Sequence, residues 1–315
     1  MISKEPSQHV TPLSEDQAGF PEQVVPAHLT PPPAPQTMSP GAWFEVAKAF
    51  VVWFLSVVML AVVPLSVALP YLIYQIAKFG PPRPEALTED KTLIFLSILG
   101  VLPTHVLTLA LIWLLFTEGG TRPFLKTLGF QWPAAASPTV VSLLCVLLAL
   151  ALLGIGLGVT TLWGGNKTQL DLLVESSMAS RVATALVAVL TAPLVEEFIY
   201  RGVLYSALER VAGRVISVVL VSLLFAGVHV FQYSNNIAVI VVITLLSFTL
   251  SLARAYTGSL VPPFLIHLVF NGIQAVIILV TPFIQKGEEV TPTTPGLDLG
   301  HHLFEAISVY VCRMT

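Results

Sequence analysis

Two glutamates stand side by side, Glu196 and Glu197, in the stretch TAPLVEEFIYRG, with Arg201 four positions on and long apolar runs to either side. A charge at the centre of a membrane helix costs roughly 2.5–3.5 kcal/mol on insertion scales, so ionisable groups there pair, face the bundle interior and mark function. Neighbours on a helix point about 100° apart, so the two carboxylates face different directions. Glu197 and Arg201 are i and i+4 with the acid on the N-terminal side, the favourable order for an ion pair. Glu196 is left to face elsewhere. Pro193, just before them, leaves the carbonyl of Val189 without its usual donor, a gap that can admit water. Taken alone, EExxxR is explained as well by an ion pair at a helix end as by chemistry.

Two other stretches carry polar groups in apolar surroundings. His229, in SLLFAGVHV, lies four residues after Phe225, so ring and imidazole share a face; His267 and Asn271, in PPFLIHLVFNG, are also i and i+4. Each could be a hydrogen bond that glues helices together, worth about 0.6 kcal/mol on average. His105, in VLPTHVLTL, has no local partner and reads as structural or as lining a polar cavity. Glu196, His229, His267 and Asn271 together lie on three separate apolar helices. Three costly placements in one bundle point to a shared polar site within it.

The elements that must position these residues are membrane helices. The chain of 315 residues is 55% hydrophobic and 10% charged, with mean hydropathy +0.83. Soluble domains carry about a quarter charged residues, so the natural solvent for much of this chain is lipid, and an all-α polytopic bundle is expected. Apolar runs at 44–78, 92–116, 138–162, 182–208, 215–231, 237–255 and 258–283 give about seven helices. Pro64 and Pro70 imply a long, kinked or tilted first helix, and Gly154 with Gly158 has the GxxxG spacing of close helix packing. A net charge of −3 with no basic stripe argues against a nucleic-acid partner. Two cysteines give no disulfide framework. Residues 1–42 form a proline-rich tail expected to be disordered, 43–283 the helical domain, and 284–315 a polar tail. His301 and His302 are adjacent and poorly placed to share an ion. Asn166-Lys167-Thr168 matches a glycosylation sequon, and the last four residues formally fit C-a-a-X, a match that Arg313 weakens. Basic residues after the even-numbered helices favour a cytoplasmic N-terminus.

At the polar residues the sequence resembles the CPBP family, the type II CAAX prenyl proteases and their bacterial Abi relatives. Its three motifs, EExxxR, FxxxH and HxxxN, stand intact and in order as Glu196-Glu197-Phe-Ile-Tyr-Arg201, Phe225-Ala-Gly-Val-His229 and His267-Leu-Val-Phe-Asn271. The resemblance covers roughly residues 180–280. It implies an intramembrane endopeptidase in which Glu196 and His229 activate water and His267 and Asn271 form an oxyanion hole. Glu197, Arg201 and Phe225 then support the site from behind. No cofactor is required on that reading; the competing mechanism places Zn²⁺ on Glu196, His229 and His267. Asn271 is a poor zinc ligand and no HExxH helix is present, which favours the glutamate mechanism. The implied partners are membrane lipids and a peptide or protein substrate, prenylated if it resembles eukaryotic members and bacteriocin-like if bacterial ones. The location is a membrane crossed several times, the plasma membrane in a bacterium. The rival class is a non-enzymatic membrane protein, a scaffold or a proton-coupled transporter with Glu196 and His229 as relay, for which Pro262-Pro263 would interrupt a span.

Overall fold

The computed structural model describes residues 40–134, 136–163, 168–233 and 236–288, and all regular structure among them is helical. Residues 1–39 of the proline-rich tail, His301, His302, Cys312 and the Asn166-Lys167 half of the sequon lie outside the described residues. Helices α1 (Pro40–Phe79), α2 (Pro84–Glu89), α3 (Lys91–Leu99), α4 (Val101–Phe116), α5 (Phe124–Thr127) and α6 (Pro138–Trp163) precede the motifs. Helices α7 (Gln169–Ser176), α8 (Met178–Leu186), α9 (Ala192–Glu197), α10 (Tyr205–Tyr233), α11 (Ile237–Thr257) and α12 (Val261–Glu288) carry or flank them. Two π-helical segments, Val187–Thr191 and Phe198–Leu204, bracket α9. The first helix begins two residues before the expected end of the tail, and the last runs five beyond 283.

Among the described residues six helical stretches are long and apolar enough to cross a bilayer. One of them, Met178–Val230, is broken at Gly213, whose φ of 76° and ψ of 172° are not helical. That backbone region is essentially open to glycine alone. The two limbs match the expected fourth and fifth helices, which accounts for seven helices in six stretches. Large apolar side chains such as Leu143, Leu147, Leu150 and Ile155 on α6 point outward, a face that suits lipid. The chain is an integral, multi-pass membrane protein.

Helix ends follow capping chemistry. Asp90 Oδ1 accepts from Thr92 N (2.8 Å) and Leu93 N (2.9 Å) to start α3, while its Oδ2 accepts from the Tyr71 hydroxyl (2.9 Å) and ties that start to α1. Pro262 and Pro263 lie in the first turn of α12, where a missing N–H costs nothing. The expected interruption of that span is therefore not there.

Helix α1 has 40 residues and runs through Pro64 and Pro70. At 1.5 Å per residue it is about 60 Å long, twice a hydrocarbon core of about 30 Å. Gly100, between α3 and α4, backs directly onto Pro64; an added Cβ would collide with the Pro64 Cα. The GxxxG expectation needs correction. A Cβ on Gly154 or Gly158 would meet nothing within 4 Å. The buried face of α6 is instead Val141, Cys145, Ala149, Leu152, Gly156 and Thr160, which packs on α11 and α12.

Candidate active site

The short helix α9 and its flanking π segments place the two glutamates. In the first π segment the amide of Ala192 donates to the carbonyl of Val187, five residues back. The next donor in that register would be residue 193, a proline. The unpaired carbonyl is thus that of Ala188, not Val189 as α-helical counting gives. Asn271 supplies what is missing: its Nδ2 donates to the Ala188 carbonyl at 3.0 Å.

Glu197 points away from Glu196, as the helical pitch requires, and has no exposed surface. Arg201 is equally buried, and all three of its guanidinium nitrogens donate. Nη1 reaches Glu197 Oε1 (3.0 Å), Nη2 reaches the Ser247 carbonyl (2.9 Å) and hydroxyl (2.8 Å), and Nε reaches Ser251 Oγ (3.3 Å). Ser222 Oγ in turn donates to Ser251 Oγ (3.1 Å). The Phe225 ring lies 4.9 Å from the guanidinium carbon, so its π face meets the cation. A buried charge is tolerated when its nitrogens find acceptors, and here each of the three does.

Glu197 Oε1 accepts a second bond, from His267 Nδ1 at 2.9 Å. An ionised carboxylate can only accept, so Nδ1 carries the proton and the neutral ring keeps its lone pair on Nε2. That Nε2 lies 3.7 Å from Glu196 Oε2. Two acceptors at that separation either hold a water off the line between them or share a proton. With a proton on His267 the cluster Glu196, Glu197, Arg201 and His267 sums to zero charge.

Glu196 itself is a quarter exposed and faces a cavity of about 510 Å³. His229, His267, Asn271, Phe225, Tyr200 and His105 line the same cavity. His229 donates from Nδ1 to the Phe225 carbonyl (2.8 Å), leaving Nε2 as its open basic nitrogen. The Phe225 ring stacks on His229 (centroids 4.5 Å apart) and meets His267 edge-on (6.1 Å). The expected partnership of Glu196 with His229 is not a direct one: among the described residues no hydrogen bond or ion pair joins them. The near imidazole is His267, which the carboxylate of Glu197 draws to that side. Among the described residues no three His, Cys, Asp or Glu side chains converge to hold a metal ion, so Glu196, His229 and His267 do not form a ready ligand set.

Sequence spacing found the Glu197–Arg201 pair but missed its outer partners. Ser247 and Ser251, one turn apart in apolar α11, are a small-hydroxyl pattern that a search for acceptors to Arg201 would have picked out. Tyr200, whose hydroxyl accepts from Trp53 Nε1 at 3.3 Å, was passed over as part of the apolar run.

A helical membrane protein with a carboxylate and imidazoles around a shared cavity has the equipment of a membrane hydrolase. Residues 178–273 match the family described as type II CAAX prenyl endopeptidase Rce1-like. All three motifs fall inside that stretch, which is similar to CPBP-family, CAAX-type membrane proteases. No curated protein and no solved structure matches the chain.

Proposed function

We propose that this protein hydrolyses a peptide bond near the C-terminus of a lipidated substrate, with Glu196 as the base. The observation that carries the reading is a carboxylate open to the cavity, 3.7 Å from an imidazole that a second carboxylate holds in one tautomer. Water attacks the carbonyl carbon and gives its proton to Glu196, with His229 Nε2 as the second acceptor. The oxyanion accepts from the N–H of Asn271 that Ala188 leaves free, and from Nε2 of His267, which takes a proton from bulk water before the attack and keeps it through the cycle. Glu197 stabilises the imidazolium so formed. The C–N bond then breaks, the carboxylic acid leaves on one fragment, and the proton on Glu196 passes to the departing amine.

The apolar lining from Leu60, Pro64, Ile98, Leu173 and Ile278 supports a substrate with a hydrophobic tail.

The test is cleavage of a farnesylated fluorogenic CAAX peptide by purified protein and by Glu196→Ala, His229→Ala and His267→Ala variants. Loss of turnover in all three with the fold intact supports the assignment. Persistence in all three removes it. A proton-coupled flux that disappears in the same variants, with no peptide cleaved, makes the protein a transporter instead.

A further inference from the structure

His105 lies outside the three motifs, on α4, yet its ring opens on the same cavity and is in electrostatic reach of Glu196. The side chain is almost fully buried, at 8% exposed. Its Nδ1 lies 2.8 Å from Thr191 Oγ1, in the first π segment. The Thr191 hydroxyl also has the Val187 carbonyl within reach (3.3 Å), and with its one hydrogen assigned there it accepts from Nδ1–H. The neutral ring therefore keeps its lone pair on Nε2. Among the described residues Nε2 has no hydrogen-bond partner, and it is not one of the sealed, unpaired atoms, which are Thr184 Oγ1, Glu197 Oε2 and Arg254 Nε. It keeps some accessible surface, on a residue that lines the cavity. Hydroxyls share that wall: those of Thr104 (to Gly100, 2.9 Å), Ser97 (to Leu93, 2.9 Å) and Ser56 (to Trp53, 2.7 Å) return to main-chain carbonyls, Thr108 lies one turn along, and Pro64, Ile98 and Val101 are apolar.

A peptide drawn from water into such a cavity loses the hydration of its main-chain N–H groups, and each needs a new acceptor. We propose that His105 is a substrate-binding residue that presents Nε2 to one main-chain N–H of the bound peptide. Thr191 positions it by fixing the tautomer. The inference rests on the peptidase reading and adds to it a contact made by a residue outside the motifs.

The experiment is a cycle between enzyme and substrate. A farnesylated fluorogenic CAAX peptide is made as a series in which each non-scissile amide near the cleavage point is replaced in turn by an ester, which deletes one N–H. Wild type, His105→Leu, His105→Gln and Thr191→Val are assayed against the series. At one position the ester is expected to cost wild type on the order of 3- to 10-fold in kcat/KM and His105→Leu nothing further. His105→Gln, whose amide oxygen can replace Nε2, recovers much of that sensitivity; Thr191→Val loses part of it. Thermal melts of the variants in detergent separate a folding loss, which would lower turnover equally across the series. If every ester costs His105→Leu as much as it costs wild type, the assignment of His105 is wrong while the peptidase reading stands. If wild type cleaves none of the peptides, or Glu196→Gln cleaves them as wild type does, the peptidase reading falls and takes this one with it.

Discussion

Replacing Glu197 with glutamine separates charge from shape at the centre of the site. The amide oxygen can still accept from Arg201 Nη1 and His267 Nδ1, which sit 3.0 and 2.9 Å from Oε1. The NH₂ group takes the place of Oε2, an atom that already has no partner. What disappears is the negative charge facing a guanidinium with no exposed surface. Removing one member of a buried pair costs about 3–5 kcal/mol; with both hydrogen bonds kept, the low end, about 3 kcal/mol, is expected. The second effect is on chemistry. Without the carboxylate, His267 stays neutral, its only proton lies on Nδ1, and Nε2 has nothing to donate to an oxyanion. Loss of one such donor costs about 10²–10³ in kcat. Reversible unfolding in mixed micelles reads the first quantity, and turnover of a farnesylated CAAX peptide at saturating concentration reads the second. A stability change below about 1 kcal/mol together with kcat within a few-fold of wild type would refute both the charged pairing and the need for an imidazolium.

Glu196→Gln is expected to abolish turnover while leaving the unfolding midpoint near wild type, because Glu196 is part-exposed and makes no hydrogen bond within 3.5 Å among the described residues; circular dichroism and a melt check the fold. Asn271→Ala leaves the Ala188 carbonyl unpaired and should destabilise by about 1–3 kcal/mol. Adding Pro193→Ala restores a backbone N–H next to that carbonyl and is expected to recover stability but not activity, which a double-mutant cycle reads directly. Gly213→Ala should cost about 1–3 kcal/mol from backbone strain alone, since an added Cβ there meets nothing within 4 Å; a denaturation series decides it. Turnover is expected to survive dialysis against a strong chelator, and activity lost on dialysis and restored by Zn²⁺ would return the metal mechanism.

Much of this architecture could be read from the sequence, because a bilayer demands long apolar runs and makes every polar exception visible. The i, i+4 spacing of Glu197 and Arg201 anticipated their ion pair, and the helical pitch anticipated that Glu196 would face a different way. Contacts between distant segments were not legible. His267 meets Glu197 across 70 positions, and nothing in HLVFN says which carboxylate it will face. The π segments were missed because their signal is one proline and a register shift, and that shift moved the orphan carbonyl from Val189 to Ala188. Gly154 and Gly158 misled because GxxxG spacing does not reveal which helix face is buried. His105 was visible as an oddity; only the packing of α4 beside Thr191 gave it a direction.

The most direct test of the central claim is mass-spectrometric detection of the tripeptide released from a farnesylated CAAX peptide by purified protein in proteoliposomes, run beside Glu196→Gln. The account predicts that wild type releases the tripeptide and that the folded variant releases none. Equal release by the two would contradict it.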